Sequence, residues 1–225
     1  MHWYLLDSRP TASADNMAWD EALLEAAPRL GQPVLRFYGW TEPAATFGYF
    51  QKFAEVGRMT KLRPLIRRPT GGGLVPHDVD WTYSLAFPAG DPWHALKAVE
   101  SYRRVHEWIQ AAFARAGVAT ELAPCCRKEV PGQCFIGAEQ FDVLWQGRKI
   151  AGAAQRRTRD GLLIQGSIQP PSGLSRSEFE KAFREAARTQ WGVEWRTFAA
   201  EAALIERVFE LAREKYSRRD YNERR

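Results

Sequence analysis

Cysteine is scarce in this chain, with three in 225 residues, two of them adjacent as Cys125-Cys126. An odd and partly contiguous set excludes a disulfide framework and predicts a reducing, cytoplasmic setting. Long apolar runs are missing as well. None approaches the ~20 residues needed to cross a bilayer, so no membrane association is expected. The opening Met1-His2-Trp3-Tyr4-Leu5-Leu6-Asp7 has neither the basic flank nor the apolar stretch of a signal peptide. No Cys-x-x-Cys pair occurs and no histidine lies near a cysteine in sequence, which leaves no expected metal site. Zinc-finger spacing, an RNA-binding aromatic strand motif and basic runs of five or more are all absent, so nucleic acid is not an expected partner. Without repeats, low-complexity tracts or Gly/Ser linkers, residues 1–225 are expected to form one domain.

What is present is ordinary for a globular protein: 45% hydrophobic and 26% charged residues. A chain of this length buries roughly 70% of its unfolded surface and needs no staple. The net charge is +5, and much of the basic charge comes in arginine pairs such as Arg67-Arg68, Arg156-Arg157 and Arg218-Arg219. Arginine suits carboxylate and phosphate recognition. Solvated surface charge and an acidic macromolecular partner both fit.

The pattern predicts a first helix from Ala14 to Ala27, capped by Ser13 or Asp15 and stopped by Pro28. Strands are expected at Val34–Trp40, Ala45–Tyr49, Leu65–Arg68 and Trp81–Phe87. One long helix should run from Pro92, with Asp91 as its cap, to Gly117. Apolar residues at spacings of three and four, from Ala95 through Val99, Val105 and Ile109 to Ala116, mark its buried side. Phe141–Gln146 and Lys149–Arg157 read as a hairpin turning at Gln146-Gly147, and Leu162–Ile168 as a further strand. Two helices close the chain, one opened by a capping box at Ser177–Glu180, the other carrying Leu204, Val208, Leu211 and Ala212 on one face. Grouped strands with helices between the groups indicate an α+β fold.

Two segments could carry chemistry. The first is Arg67-Arg68-Pro69-Thr70-Gly71-Gly72-Gly73-Leu74-Val75-Pro76-His77-Asp78. Three glycines can turn tightly and bring backbone against a phosphate or an acyl chain. The loop lacks the Lys-Ser/Thr ending of a P-loop and the spacing of a dinucleotide fingerprint. The second joins Cys134 to Gly147-Arg148-Lys149-Ile150-Ala151-Gly152-Ala153-Ala154-Gln155. A lysine on a strand among small residues can serve as a fixed cation beside a ligand. A thiol is a strong nucleophile once an ammonium favours its thiolate. Cys125 and Cys126 read as small hydrophobic residues.

These segments, together with Asp15–Leu24, Arg36–Trp40, Phe47–Gln51 and Trp81–Ser84, resemble the lipoate-protein ligase A and octanoyltransferase family. Its catalytic domain is akin to that of biotin-protein ligase. The resemblance spans most of the chain and ends in a weaker echo at Lys215–Arg225. It implies a mixed, mostly antiparallel β-sheet flanked by helices, with an acyl tunnel beside the glycine loop and the lysine. It further implies catalytic Cys134 and Lys149, with Arg67, Arg68, Gly71, Gly72, Gly73, His77, Asp78, Gly152 and Gln155 binding substrate. The position of Cys134 is similar to the nucleophile of Gram-positive-type octanoyltransferases. Those move octanoate from acyl carrier protein to a lysine of a lipoyl domain, either glycine cleavage H protein or a 2-oxoacid dehydrogenase E2 component. No cofactor is then required. A ligase using ATP, with Mg, needs an accessory domain that 225 residues are not expected to hold. A lipoyl amidotransferase, usually without a His-Asp pair like His77-Asp78, and a degenerate acyl-carrier-binding module remain alternatives. Three positions depart from the family pattern: Pro76, Ala153 in place of serine, and Gln165 in place of histidine.

Overall fold

The computed structural model describes residues 1–125 and 137–224. Cys126 and Cys134 lie outside the described residues.

Helix α1 (Ser13–Leu30) begins without a side-chain cap of its own. Glu42 instead accepts from the Ser13 backbone N–H at 3.0 Å and from its hydroxyl at 2.8 Å, satisfying a first-turn donor from another part of the chain. Pro28 sits inside the last turn rather than ending the helix. Termination falls to Gly31, left-handed at φ 64°, whose N–H caps Ala27.

Five strands come first in the chain: β1 (His2–Asp7), β2 (Val34–Tyr38), β3 (Ala44–Phe47), β4 (Leu65–Arg67) and β5 (Val75–His77). The chain then adds β6 (Trp81–Pro88), β7 (Glu121–Leu122), β8 (Val143–Trp145), β9 (Arg148–Arg157), β10 (Gly161–Ile168) and β11 (Glu194–Thr197). Among the described residues eight of these form one sheet, ordered β11-β1-β2-β6-β10-β9-β8-β7, and β4-β3-β5 form a second. Pairing is parallel only at β11-β1-β2 within the large sheet, so that sheet is mixed and mostly antiparallel, as expected.

Both faces of the large sheet are covered, which is why β2 and β6 are buried along nearly their whole length. Alternate residues point to opposite faces. Leu35, Phe37, Tyr83, Leu85 and Phe87 join a core with Trp3, Trp93, Trp108 and Phe183. The intervening Val34, Tyr38 and Ala86 join a second core with Met17, Leu23, Leu204 and Val208. α2 (Phe53–Met59) packs Val56 on the small sheet. The first core of the large sheet is shared by α4 (Ala98–Arg115) and α5 (Arg176–Trp191), the second by α1 and α6 (Ala202–Leu211).

Three further sequence expectations need correction. The helix after β6 is two helices: Asp91 caps a single turn, α3 (Pro92–Ala95), by accepting from Trp93 N, and α4 starts only at Ala98. The break leaves Trp93 stacked on Phe87 at 5.0 Å, so tertiary packing overrides the continuous helical pattern. Val99, placed on the buried side by spacing, is 58% exposed, and Ser101, Val105, Trp108 and Ala112 define the inner face instead. The capping box of α5 is Ser175 with Glu178, two residues earlier than read from the sequence.

Candidate functional site

Sheet register builds a floor. Tyr38 on β2 faces Thr82 on β6, Thr82 faces Ser167 on β10, and Ser167 faces Gly152 on β9. This row spans three strand spacings, about 14 Å. A parallel row two residues along runs Arg36, Ser84, Gln165, Ala154. The small sheet lies above with Thr46, Val75 and His77, and between floor and roof is a narrow cleft with about 460 Å³ of empty space. Lys149, Gly152 and Ala153 border it on the β9 side, Met17 and Tyr38 on the β2 side.

Lys149 reaches its place through a hairpin. Gln146 and Gly147 both have positive φ, 52° and 75°, as a two-residue turn with the twist of its strands requires. A register shift between Val143 and Leu144 then pairs Val143 with Ala151. Just before it, Asp142 accepts from Lys149 Nζ at 2.7 Å, with side chains 0% and 6% exposed. The same carboxylate accepts from Tyr102 Oη at 2.5 Å and Glu139 N at 2.6 Å. Gly152 is the cradle: a Cβ there would lie 2.7 Å from Lys149 Cε and 2.8 Å from Nζ. Its small size admits the lysine's own side chain across the strand. Behind Tyr102, His106 is fully buried, donates from Nδ1 to the Tyr102 carbonyl at 2.7 Å, and is pushed down to about 4 by desolvation.

The glycine loop is held from within. Arg68 donates to the carbonyls of Gly71 (2.6 Å) and Gly73 (2.8 Å) and to Thr46 Oγ1 (3.2 Å). Thr70 Oγ1 donates to Gln165 Oε1 at 2.7 Å, tying the loop to the sheet. Gly72 is left-handed at φ 86°, and a Cβ on Gly48 would lie 1.9 Å from the Gly72 carbonyl oxygen, so β3 and the loop meet backbone to backbone. Gln165 also donates to Asp20 Oδ2 at 2.7 Å. Asp20 accepts as well from Arg36 (2.9 Å), Tyr38 (2.9 Å) and Ser84 (2.6 Å). Burial, then the Asp20 charge, hold the Tyr38 phenol well above its ordinary value, so it stays a donor.

His77 is buried on the roof, stacked on Trp40 with ring centroids 3.9 Å apart. Its Nδ1 donates to Asp80 Oδ2 at 2.9 Å, while Nε2 lies 2.8 Å from Thr46 Oγ1. Thr82 and Ser167 also donate to Asp80 Oδ2, at 3.1 and 2.6 Å.

The sequence-derived residues therefore divide. Arg68, His77, Lys149 and Gly152 line the cleft, and Gly71, Gly72 and Gly73 form the loop that Arg68 clamps. Arg67 lies elsewhere, buried with its guanidinium on the carbonyls of Tyr49 (2.8 Å), Gln51 (2.7 Å) and Asn222 (2.9 Å). Gln155 faces α4, donating to the Ala98 carbonyl at 2.8 Å and accepting from Ser101 at 3.0 Å. Asp78 is exposed, and the carboxylate beside His77 is Asp80. Sequence reasoning missed Asp142, Asp80, Thr46 and Asp20. Only a carboxylate placed just ahead of the hairpin that carries Lys149 could have signalled the first.

The profile described as "Lipoyl protein ligase A/B catalytic domain" matches residues 12–192. Octanoyltransferase LipM of Carboxydothermus hydrogenoformans is 35% identical over 188 residues, 81% of this chain and 68% of that protein. The LipM of Bacillus subtilis is 34% identical over 179 residues, 74% of this chain and 64% of its own length. The matches thus span about two-thirds of these relatives. Octanoyltransferase LipM of Kyrpidia tusciae matches at 31% over 244 residues, 96% of this chain and 86% of it. Among solved structures, Ta0514 of T. acidophilum with bound lipoic acid superposes with a TM-score of 0.85 at 22% identity, covering all of both chains. A lipoate-protein ligase A bound with ATP gives 0.82 at 21% identity over 99% of each. With the profile covering most of the chain, and Arg68, which clamps the glycine loop, lining one cleft with Lys149, the chain belongs to the lipoyl protein ligase A/B catalytic domain family.

Proposed function

We propose that this protein is an octanoyltransferase of protein lipoylation. It takes octanoate from acyl carrier protein as a thioester on Cys134 and passes it to a lysine of a lipoyl domain, in glycine cleavage H protein or a 2-oxoacid dehydrogenase E2 component. The observation that carries this reading is a buried ammonium, Lys149, fixed by Asp142 at one end of a cleft whose floor runs four strands wide. An extended eight-carbon acyl chain measures about 9 Å, which a row of about 14 Å accommodates. The relatives named octanoyltransferase support this choice of reaction.

The chemistry follows from charge. In the first half-reaction the Cys134 thiolate attacks the carrier thioester and the carrier's thiolate leaves. In the second, the acceptor amine attacks the enzyme thioester, and Cys134 leaves as a thiolate that takes up the proton the nitrogen gives up, giving an amide and the free thiol. Both steps pass through an oxyanion, and a fixed, desolvated ammonium stabilises such a charge far better than water does. Thioester exchange is near isoenergetic and aminolysis is downhill, so neither step needs a nucleotide. Two half-reactions through a covalent intermediate predict ping-pong kinetics. Incubation with octanoyl-acyl carrier protein and a lipoyl domain should octanoylate the domain equally with and without ATP. Product formed only from free lipoate and ATP would replace this reading with the ligase.

A further inference from the structure

We propose that His77, oriented by Asp80, removes the proton from the acceptor's lysine ammonium, which enters through the acidic groove on the far side of His77. The inference rests on the amide-forming step of the proposed function.

His77 borders two spaces. One is the cleft that Lys149 also lines; the other is a surface groove with about 690 Å³ of empty space. Trp40, Glu42, Asp78, Asp80 and Arg176 line the groove with it. Arg176 is engaged by Glu180 at 2.6 Å and by the Tyr38 carbonyl at 3.1 Å, so the groove sets the three carboxylates of Glu42, Asp78 and Asp80 against one already paired guanidinium. An excess of negative charge of this kind receives a primary ammonium. A second observation points the same way. Asp80 Oδ1 is buried with no hydrogen-bond partner among the described residues, although Oδ2 accepts from three side chains. An ammonium in the groove would supply a donor to a group that is costly to leave unpaired.

The orientation of His77 suits a base. Asp80 accepts from Nδ1, so the lone pair sits on Nε2, toward Thr46 Oγ1 at 2.8 Å. Thr46 accepts in turn from Arg68 at 3.2 Å and can give its hydrogen to Nε2, which an incoming ammonium replaces. Among the described residues, the charged groups around His77 are Asp80 and exposed Asp78 from its own segment, Glu42 and Arg176 across the groove, Arg68 through Thr46, and Lys149 across the cleft. The two sites adjoin: Ser167, which donates to Asp80, is the strand partner of Gly152, over which Lys149 lies.

In the step itself, Nε2 takes one proton from the ammonium and the freed amine attacks the thioester carbonyl. The C–N bond forms and the C–S bond breaks. The second nitrogen proton passes to the departing thiolate, the third stays on the amide, and His77 returns its proton to water through the groove.

The test compares wild type with His77→Gln in the second half-reaction alone, starting from octanoylated enzyme. From equally octanoylated enzyme, transfer to the lipoyl domain at pH 7 should fall about 100-fold. That deficit should shrink toward pH 9, where more of the lysine, ordinarily titrating near 10.4, is already free amine. Hydroxylamine, neutral at pH 7, should discharge both enzymes at equal rates. Equal transfer to the domain, or an equal slowing with hydroxylamine, overturns the proposal. If His77→Gln does not fold, Asp78→Asn decides: it should raise the KM for the lipoyl domain several-fold at low salt and leave hydroxylamine discharge unaltered, and an unchanged KM overturns the groove. If wild type forms no acyl-enzyme, the proposed function fails by itself. The same comparisons in ATP- and lipoate-driven conjugation then decide the role of His77.

Discussion

Lys149 and Asp142 form a buried ion pair at 2.7 Å, and the Lys149 side chain lies over Gly152, where no β-carbon intervenes. Asp142 also accepts from Tyr102 and the Glu139 backbone, so the ammonium is aimed by a carboxylate that is itself fixed. Pre-organised charge of this kind is worth most in a site shielded from water.

Lys149→Ala should reduce acyl transfer by about 100- to 1,000-fold. It should also destabilise the fold by about 3 kcal/mol, because a buried carboxylate loses its counter-charge. The double variant Lys149→Ala, Asp142→Asn should recover much of the stability and none of the activity. Thermal melts beside transfer assays separate the effects, and near-wild-type rates in the single variant would remove Lys149 from the mechanism.

Gly152→Ala should act on activity and stability together. The new methyl would meet Lys149 Cε and Nζ at 2.7 and 2.8 Å and Asp142 Oδ1 at 3.2 Å. The ammonium is pushed off its buried carboxylate, so stability should fall by up to about 3 kcal/mol, as for Lys149→Ala. Turnover should fall at least tenfold, since the ammonium leaves its place. A stable and fully active Gly152→Ala would contradict the cradle.

Neighbouring glycines should differ sharply. Gly71 has open space around a β-carbon, and Gly71→Ala should be nearly silent. Gly48→Ala would drive a methyl to 1.9 Å from the Gly72 oxygen and displace the loop. Gly72→Val meets the left-handed backbone at φ 86°, a strain of about 1–3 kcal/mol, and should weaken acyl-donor use beyond its effect on melting. Parallel melting curves and donor KM values check the order.

Acid sensitivity should trace in part to His106. Its folded value lies near 4, against about 6.5 in an unfolded chain, so between those pH values the unfolded state binds the extra proton. Stability therefore falls as pH drops from about 6.5 toward 4, by up to about 3 kcal/mol. His106→Leu should flatten that part of the stability–pH curve measured by urea unfolding. An unchanged slope would assign the acid sensitivity to other groups.

The glycine loop, Lys149 and the central strands were legible because each is announced locally, by a glycine run, a motif or a β-branched stretch. Asp142 and Asp80 were not, because what gives them meaning is register: a bulge at Val143/Leu144, and the pairing of β6 with β10 that sets Ser167 beside Asp80. His77 was legible as a candidate, yet adjacency suggested Asp78 as its partner where the fold supplies Asp80. The edge strand β11 pairs with β1 across nearly 200 positions, Glu194 with His2, which no local pattern reveals. Arg67 read as a ligand-binding cation, and the fold uses it to hold four backbone carbonyls, those of Tyr49, Gln51, Tyr221 and Asn222.

The most direct test of the transferase reading is an intact-mass measurement after mixing the protein with octanoyl-acyl carrier protein, without ATP. One octanoyl group should appear on wild type, Cys125→Ser and Cys126→Ser, be removed by neutral hydroxylamine, and be missing from Cys134→Ser. An adduct that persists in Cys134→Ser, or none on wild type unless lipoate and ATP are supplied, would contradict the account.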